Sequence, residues 1–260
     1  MLTVQDVHEF LKSNGITPKD TVLIHTSFRS LGTVDGGCDG FIDAFVSYLS
    51  DGLFLVPTHT WANVGEGSPV FDVKNTVPCI GALPCVAAKR EDCVRSLHPT
   101  HSLAAFGAEA REFVRGEEKC KTPCPQDGAW ARLYSRGAKI LLIGVGLNRN
   151  TYIHAVDEML GLEDRLAAPI KLRILGYSGE SYETDFSKHG SNTGSENFGV
   201  FEDALLYTGA LRYSRLGDAR VGIFDAKAGC DVIKSLWQKA DFDLTRDGRA
   251  IPKEYYMKTE

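Results

Sequence analysis

His154, Asp157 and Glu158 set an imidazole and two carboxylates at three- and four-residue spacing, which on a helix brings them to one face. A carboxylate held against one ring nitrogen fixes the tautomer and stabilises the imidazolium. A histidine so held, with an ordinary pKa near neutrality, has the makings of a general base. Solvated surface pairs show the same spacing, so the surroundings must decide.

Those surroundings are the stretch Lys139 to Leu160. Ile140 to Val145 is a short continuous apolar run, the pattern of a strand buried on both faces. Gly144 and Gly146 break it, and Asn148 or Asn150 can cap the helix that carries His154. The imidazole then falls just past the carboxyl end of a sheet strand, where ligands bind in open α/β sheets.

The remaining elements supply the frame. Thr3 can cap a helix in which Val4, Val7, Phe10 and Leu11 recur at helical spacing and which Gly15 ends. Thr21 to Thr26 reads as a buried strand, followed by the turn-rich Ser27–Gly37 and a helical pattern over Phe41 to Leu49. Strand, glycine-bearing loop and helix start together can hold an anion, although neither the dinucleotide nor the P-loop fingerprint is present. Leu53 to Val56 is a second strand, residues 62–80 a long surface loop, and Gly81 to Arg90 a helix. Arg95 to Gly107 leads two histidines and a proline into a small-residue strand, where Ala104 and Ala105 allow either close approach of a ligand or tight packing. Residues 116–127 read as a loop and Gly128 to Tyr134 as a short helix. Further on, Lys171–Leu175 and Ser181–Phe186 form a hairpin about Gly176–Gly179, and His189–Asn197 is polar and glycine-rich. Asn197–Tyr207 is a helix, Leu211–Val221 a hairpin about Gly217–Asp218, and Ala226–Gln238 a closing helix. The order implies a mixed α/β body: a largely parallel central sheet flanked by helices, with an antiparallel C-terminal portion, in a single domain over residues 1–260.

Composition excludes several classes. The chain has 260 residues, 43% apolar and 24% charged, with a net charge of −5, which suits an ordinary globular protein. Scattered basic residues argue against nucleic acid as partner. No apolar run has membrane-spanning length, and the N-terminus lacks a signal peptide, so a cytoplasmic location and no membrane partner are expected. The seven cysteines are odd in number and widely spaced, which reads as reduced structural thiols.

Four blocks in fixed order resemble the aminoglycoside 3-N-acetyltransferases: Asp20–Gly32 with Gly36-Gly37, His98–Gly107, Leu142–Gly146 with Thr151–His154, and Phe224–Val232. The resemblance implies transfer of the acetyl group of acetyl-CoA, without a metal, to the 3-amino group of a 2-deoxystreptamine antibiotic. That would be a resistance activity, on a fold distinct from the small N-acetyltransferase (GNAT) fold. His154 matches the family's catalytic histidine; Asp157 or Glu158 would orient it, and His25 at its strand end would be a second proton acceptor, a neighbour of the acetyl group or a hydrogen-bonded structural residue. The segment Ser27, Phe28, Arg29, Ser30, Leu31 and Gly32 would cradle the CoA phosphates, while Thr58 and the backbone of Ser102, Leu103, Ala104 and Ala105 would line the pantetheine arm. A polycationic acceptor needs carboxylates around it, and Asp35, Glu66, Asp72 and Asp185 are the candidates. The chain is short for the family, which bears on the substrate-binding insertions, and the assembly is expected to be a monomer or homodimer.

Three rival readings have their own marks. The same machinery could serve a non-antibiotic amine. His154, Asp157 and Glu158 with His25, His59 or His101 could hold a catalytic metal in a hydrolase. A non-catalytic protein of this fold would bind CoA and release no thiol.

Overall fold

The computed structural model describes residues 1–191 and 193–257. The polar stretch from His189 to Asn197 is therefore described except at residue 192. The first helix, α1 (Val4–Ser13), begins at Thr3, whose side chain and backbone form a capping box with Asp6. Strands β1 (Thr21–Thr26) and β2 (Leu53–Pro57) are apolar and buried nearly throughout, and α2 (Gly37–Tyr48) joins them, starting four residues before the apolar pattern does. The long loop after β2 contains a short strand, β3 (Val70–Asp72), and leads to α3 (Ala82–Ala87). Next come β4 (Val94–Arg95), β5 (Leu103–Phe106), α4 (Ala110–Phe113) and α5 (Ala129–Ser135). Strand β6 (Lys139–Ile143) runs through a 3-10 turn into α6 (Tyr152–Met159). The remainder comprises β7 (Ile170–Leu175), β8 (Ser181–Phe186), a 3-10 stretch Ser195–Phe201 with α7 (Glu202–Tyr207), β9 (Leu211–Leu216), β10 (Ala219–Asp225) and α8 (Ala226–Lys239).

Seven strands form one sheet in the order β4-β5-β2-β1-β6-β10-β9. The centre, β2-β1-β6, is parallel. Antiparallel pairs complete both edges, whereas the sequence pattern places them only at the C-terminal side. Strand period sorts the side chains. Leu23, Leu55 and Leu142 face a core closed by α5, α6, α7 and α8, and Val22, Ile24, Val56 and Leu141 face one closed by α1, α2 and α3. The β7–β8 hairpin does not join this sheet. It pairs with β3 in a separate three-stranded sheet over a small core of Val64, Phe71, Val73, Leu172, Ile174 and Phe186.

One glycine fixes where the parallel strands end. Gly144 follows β6 with φ +64°, and a Cβ there would overlap the Ser30 hydroxyl. The Ser27–Leu31 turn can therefore lie against the end of β6, with the Ser27 N–H donating to Ile143 O at 2.9 Å.

Candidate active site

Beyond the carboxyl ends of β1, β2 and β6 lies a cavity of about 770 Å³, within the usual range for a small-molecule site. His25, His59, His101, His154 and His189 all line it. With His98 behind them, six of the seven histidines of the chain form one cluster. His154 stands 4.1 Å from His189, His189 5.0 Å from His101, and His101 4.5 Å from His59, measured between ring centres. Trp130 floors the cluster: its indole N–H donates to His101 O at 2.9 Å, and its ring packs on His25 and His59.

The roles differ because the hydrogen bonds differ. His98 Nδ1 accepts the N–H groups of Thr100 and His101, which leaves its Nε2 to donate to Thr122 O at 3.1 Å; both nitrogens serve the backbone. Burial lowers His25 to about 3 and His98 to about 4, and His59, His101 and His189 lie well below the ordinary imidazole value for the same reason. These five rings stay uncharged at neutral pH. Burial makes His25 a weak base, and its Nε2 stands at the cavity wall with no hydrogen-bond partner among the described residues.

His154 is the ring with a carboxylate behind it. Its Nδ1 lies 3.8 Å from Asp157 Oδ2, with side-chain exposures of 12% and 2%. The approach is longer than a hydrogen bond, and contacts of this kind commonly tighten when substrate binds. Among the described residues, neither Asp157 oxygen has another partner. Burial raises the Asp157 carboxyl above its usual range, offset by His154 and Arg165. Glu158 points elsewhere: it accepts the Thr122 hydroxyl at 2.5 Å and the Cys124 N–H at 2.8 Å. Of the two carboxylates left open by the spacing, Asp157 is the one placed against the ring.

Several residues expected at the cofactor do not line the cavity. Thr58 and Ser102 are fully buried and hydrogen-bond to each other at 2.8 Å. Leu103, Ala104 and Ala105 belong to β5, between β2 and β4, and fill the cores on the two sheet faces; their small size serves packing. Of the turn Ser27 to Gly32, only Ser27 lines the cavity. Phe28 and Leu31 pack into the core, Ser30 donates to Ser27 O, Arg29 is exposed, and Gly32 lies against Asp218.

The four carboxylates expected around a cationic acceptor are also elsewhere. Asp35 and Glu66 are exposed. Asp72 is engaged by the N–H groups of Lys74 and Asn75, and Asp185 pairs with Lys171 on the small sheet. What sequence reasoning missed is His189, Trp61, Lys188, Arg149 and Thr151, all of them cavity residues. His189 sits in an irregular polar stretch with no periodic pattern to mark it; the number of histidines in the chain was the available clue.

A metal reading finds little support in the donor atoms. Among the described residues, one trio with metal-ligand proximity occurs, His98, Glu117 and Cys120. Both His98 nitrogens are taken, Glu117 Oε1 accepts the Ala129 N–H and the Cys120 thiol, and burial holds Glu117 up at about 7 and raises Cys120 as well. Glu158, needed for the hydrolase alternative, is committed to Thr122 and Cys124. All seven cysteines are free, and Cys79 lines the cavity. No helix among the described residues is long and apolar enough to cross a membrane.

The chain is similar to known proteins over most of its length. Aminoglycoside N(3)-acetyltransferase III of Serratia marcescens is 23% identical over 210 residues, covering 73% of this chain and 78% of its own. Aminoglycoside N(3)-acetyltransferase IX of Micromonospora chalcea is 25% identical over 240 residues, covering 82% and 85%. Among solved structures, AAC-IIIb in binary complex with CoASH superposes with TM-score 0.76 at 20% identity, covering 91% of this chain and 96% of that one. A mutant of aminoglycoside acetyltransferase AAC(3)-IVa in complex with a gentamicin gives 0.77 at 21%, covering 95% and 98%. The family model described as Aminoglycoside 3-N-acetyltransferase matches residues 23–238, and the chain belongs to that family.

Proposed function

We propose that this protein is an acetyl-CoA-dependent N-acetyltransferase in which His154 acts as general base and the acetyl group passes directly to the acceptor within a ternary complex. The observation that carries the reading is the pair His154–Asp157 at the cavity wall, with Glu158 turned away. A neutral amine attacks the thioester carbonyl, and the C–N bond forms as an N–H proton passes to His154. Collapse of the tetrahedral intermediate breaks the C–S bond, and the CoA thiolate leaves and takes up a proton. Burial disfavours the Asp157 charge in the resting site, so the imidazolium that forms beside it is better paired than the neutral ring. Stabilisation that appears only as the reaction proceeds accelerates it. Arg149, an exposed cation on the cavity wall, suits the phosphates of the coenzyme.

The names of the relatives point to the 3-amino group of a 2-deoxystreptamine aminoglycoside as acceptor, and hence to resistance. A second reading, a non-antibiotic amine, gains support because none of the described residues lining the cavity is Asp or Glu. The test is an initial-rate study of CoA release with acetyl-CoA and gentamicin or apramycin. Intersecting double-reciprocal lines are expected, with turnover retained in Cys79→Ser. Parallel lines, or loss of turnover in that variant, would indicate an acetyl-enzyme and contradict direct transfer.

A further inference from the structure

We infer that Lys188, with Trp61, selects an acceptor whose reacting amine is accompanied by anionic or uncharged groups, a polyhydroxylated monoamine bearing a phosphate or carboxylate, over a polycation. The inference rests on the transferase reading above and narrows its acceptor. Around the cavity, the charged side chains among the described residues are Lys188 and Arg149, and no carboxylate faces them. Lys188 Nζ donates to the carbonyls of Trp61 at 2.7 Å and Val64 at 2.9 Å, so it is held in place by neutral groups rather than by a carboxylate. Neighbouring His189 and the other buried rings are uncharged. A second ammonium group on the acceptor would therefore meet a fixed like charge with nothing to offset it, in a partly desolvated site where such repulsion is strong.

Other lining residues supply what a neutral polar acceptor needs. His25 Nε2, His59 Nδ1, Thr26 Oγ1 and Asn150 Nδ2 are buried without a hydrogen-bond partner, and all four residues line the cavity. Hydroxyl groups of a bound molecule would satisfy them. Trp61, which lines the cavity and is 46% exposed, adds an indole surface for the apolar face of a sugar.

The test compares kcat/KM for gentamicin and for glucosamine 6-phosphate, at saturating acetyl-CoA, in wild type, Lys188→Arg, Lys188→Gln and Lys188→Glu. Wild type should prefer the phosphate sugar. The gentamicin-to-phosphate-sugar ratio should rise about 10-fold or more in Lys188→Glu, less in Lys188→Gln, and stay near wild type in Lys188→Arg. The shift should shrink at high salt. A wild-type preference for gentamicin, or a ratio unchanged across the charge series, would overturn the inference, including when the Gln and Glu variants lose activity towards both acceptors alike. Failure of acetyl-CoA to release thiol with any amine would instead sink the transferase reading on which it rests.

Discussion

Asp157 and Glu158 are chemically alike and adjacent, yet their surroundings give them different work. Asp157 lies beneath the His154 ring with no other partner, while Glu158 ties the 122–124 segment to α6 through two hydrogen bonds. Asp157→Asn should lower kcat by about 10²-fold or more with little change in the KM for acetyl-CoA, since the amide cannot stabilise an imidazolium. Glu158→Gln should leave kcat within about threefold and cost roughly 1 kcal/mol of stability through its weakened hydrogen bonds; steady-state kinetics and urea unfolding read the two effects separately. The reverse pattern would make Glu158 the orienting group. Spacing alone left this choice open because three- and four-residue offsets both reach the same helical face.

At the scale of elements, the site exists because β1, β2 and β6 end together and the Ser27–Leu31 turn folds back against Gly144. Gly144→Ala must place a side chain in the left-handed region and against Ser30, so it should destabilise by roughly 1–3 kcal/mol. It should also raise the KM for acetyl-CoA by displacing Ser27 from the cavity, which thermal unfolding and kinetics on the same preparation would show; an unchanged KM would detach that turn from the coenzyme. The strands were legible in sequence because each is a short apolar run between turn residues, as Thr21–Thr26 and Lys139–Ile143 show. Less legible were elements whose place depends on distant pairing. The Lys171–Phe186 hairpin has the right local pattern, but nothing local says that it pairs with Val70–Asp72 and not with the main sheet. Likewise Ala104 and Ala105 read equally as ligand contact or as packing until β5 is seen between β2 and β4.

For the whole molecule, gathering six histidines into one interior cluster has a thermodynamic consequence. His25, His59, His98, His101 and His189 are held neutral by burial, whereas in the unfolded chain each titrates near 6.5. Their folded values are depressed, so the stability they permit is complete above about pH 6.5 and is lost as pH falls. Glu117, Asp157 and Glu158 are shifted upward and act in the opposite sense, favouring the folded state as pH falls. Five depressed histidines oppose three raised carboxyls, of which Glu117 at about 7 holds its proton in the folded state near pH 5.5, so unfolding takes up protons there on balance. The stability should then drop by about 1.4 kcal/mol per pH unit for each proton taken up. Urea midpoints at pH 7.5, 6.5 and 5.5 should fall steeply below 6.5, and a flat series would contradict the neutral cluster. Among the described residues, His154 is the one ring of the six with a carboxylate oxygen as near as 3.8 Å. The decisive measurement is kcat/KM of His154→Ala with acetyl-CoA and an accepted amine, alongside the Kd for acetyl-CoA from calorimetry. We predict a loss of about 10²–10⁴-fold with the Kd unchanged; activity within about threefold of wild type would show that the base lies elsewhere.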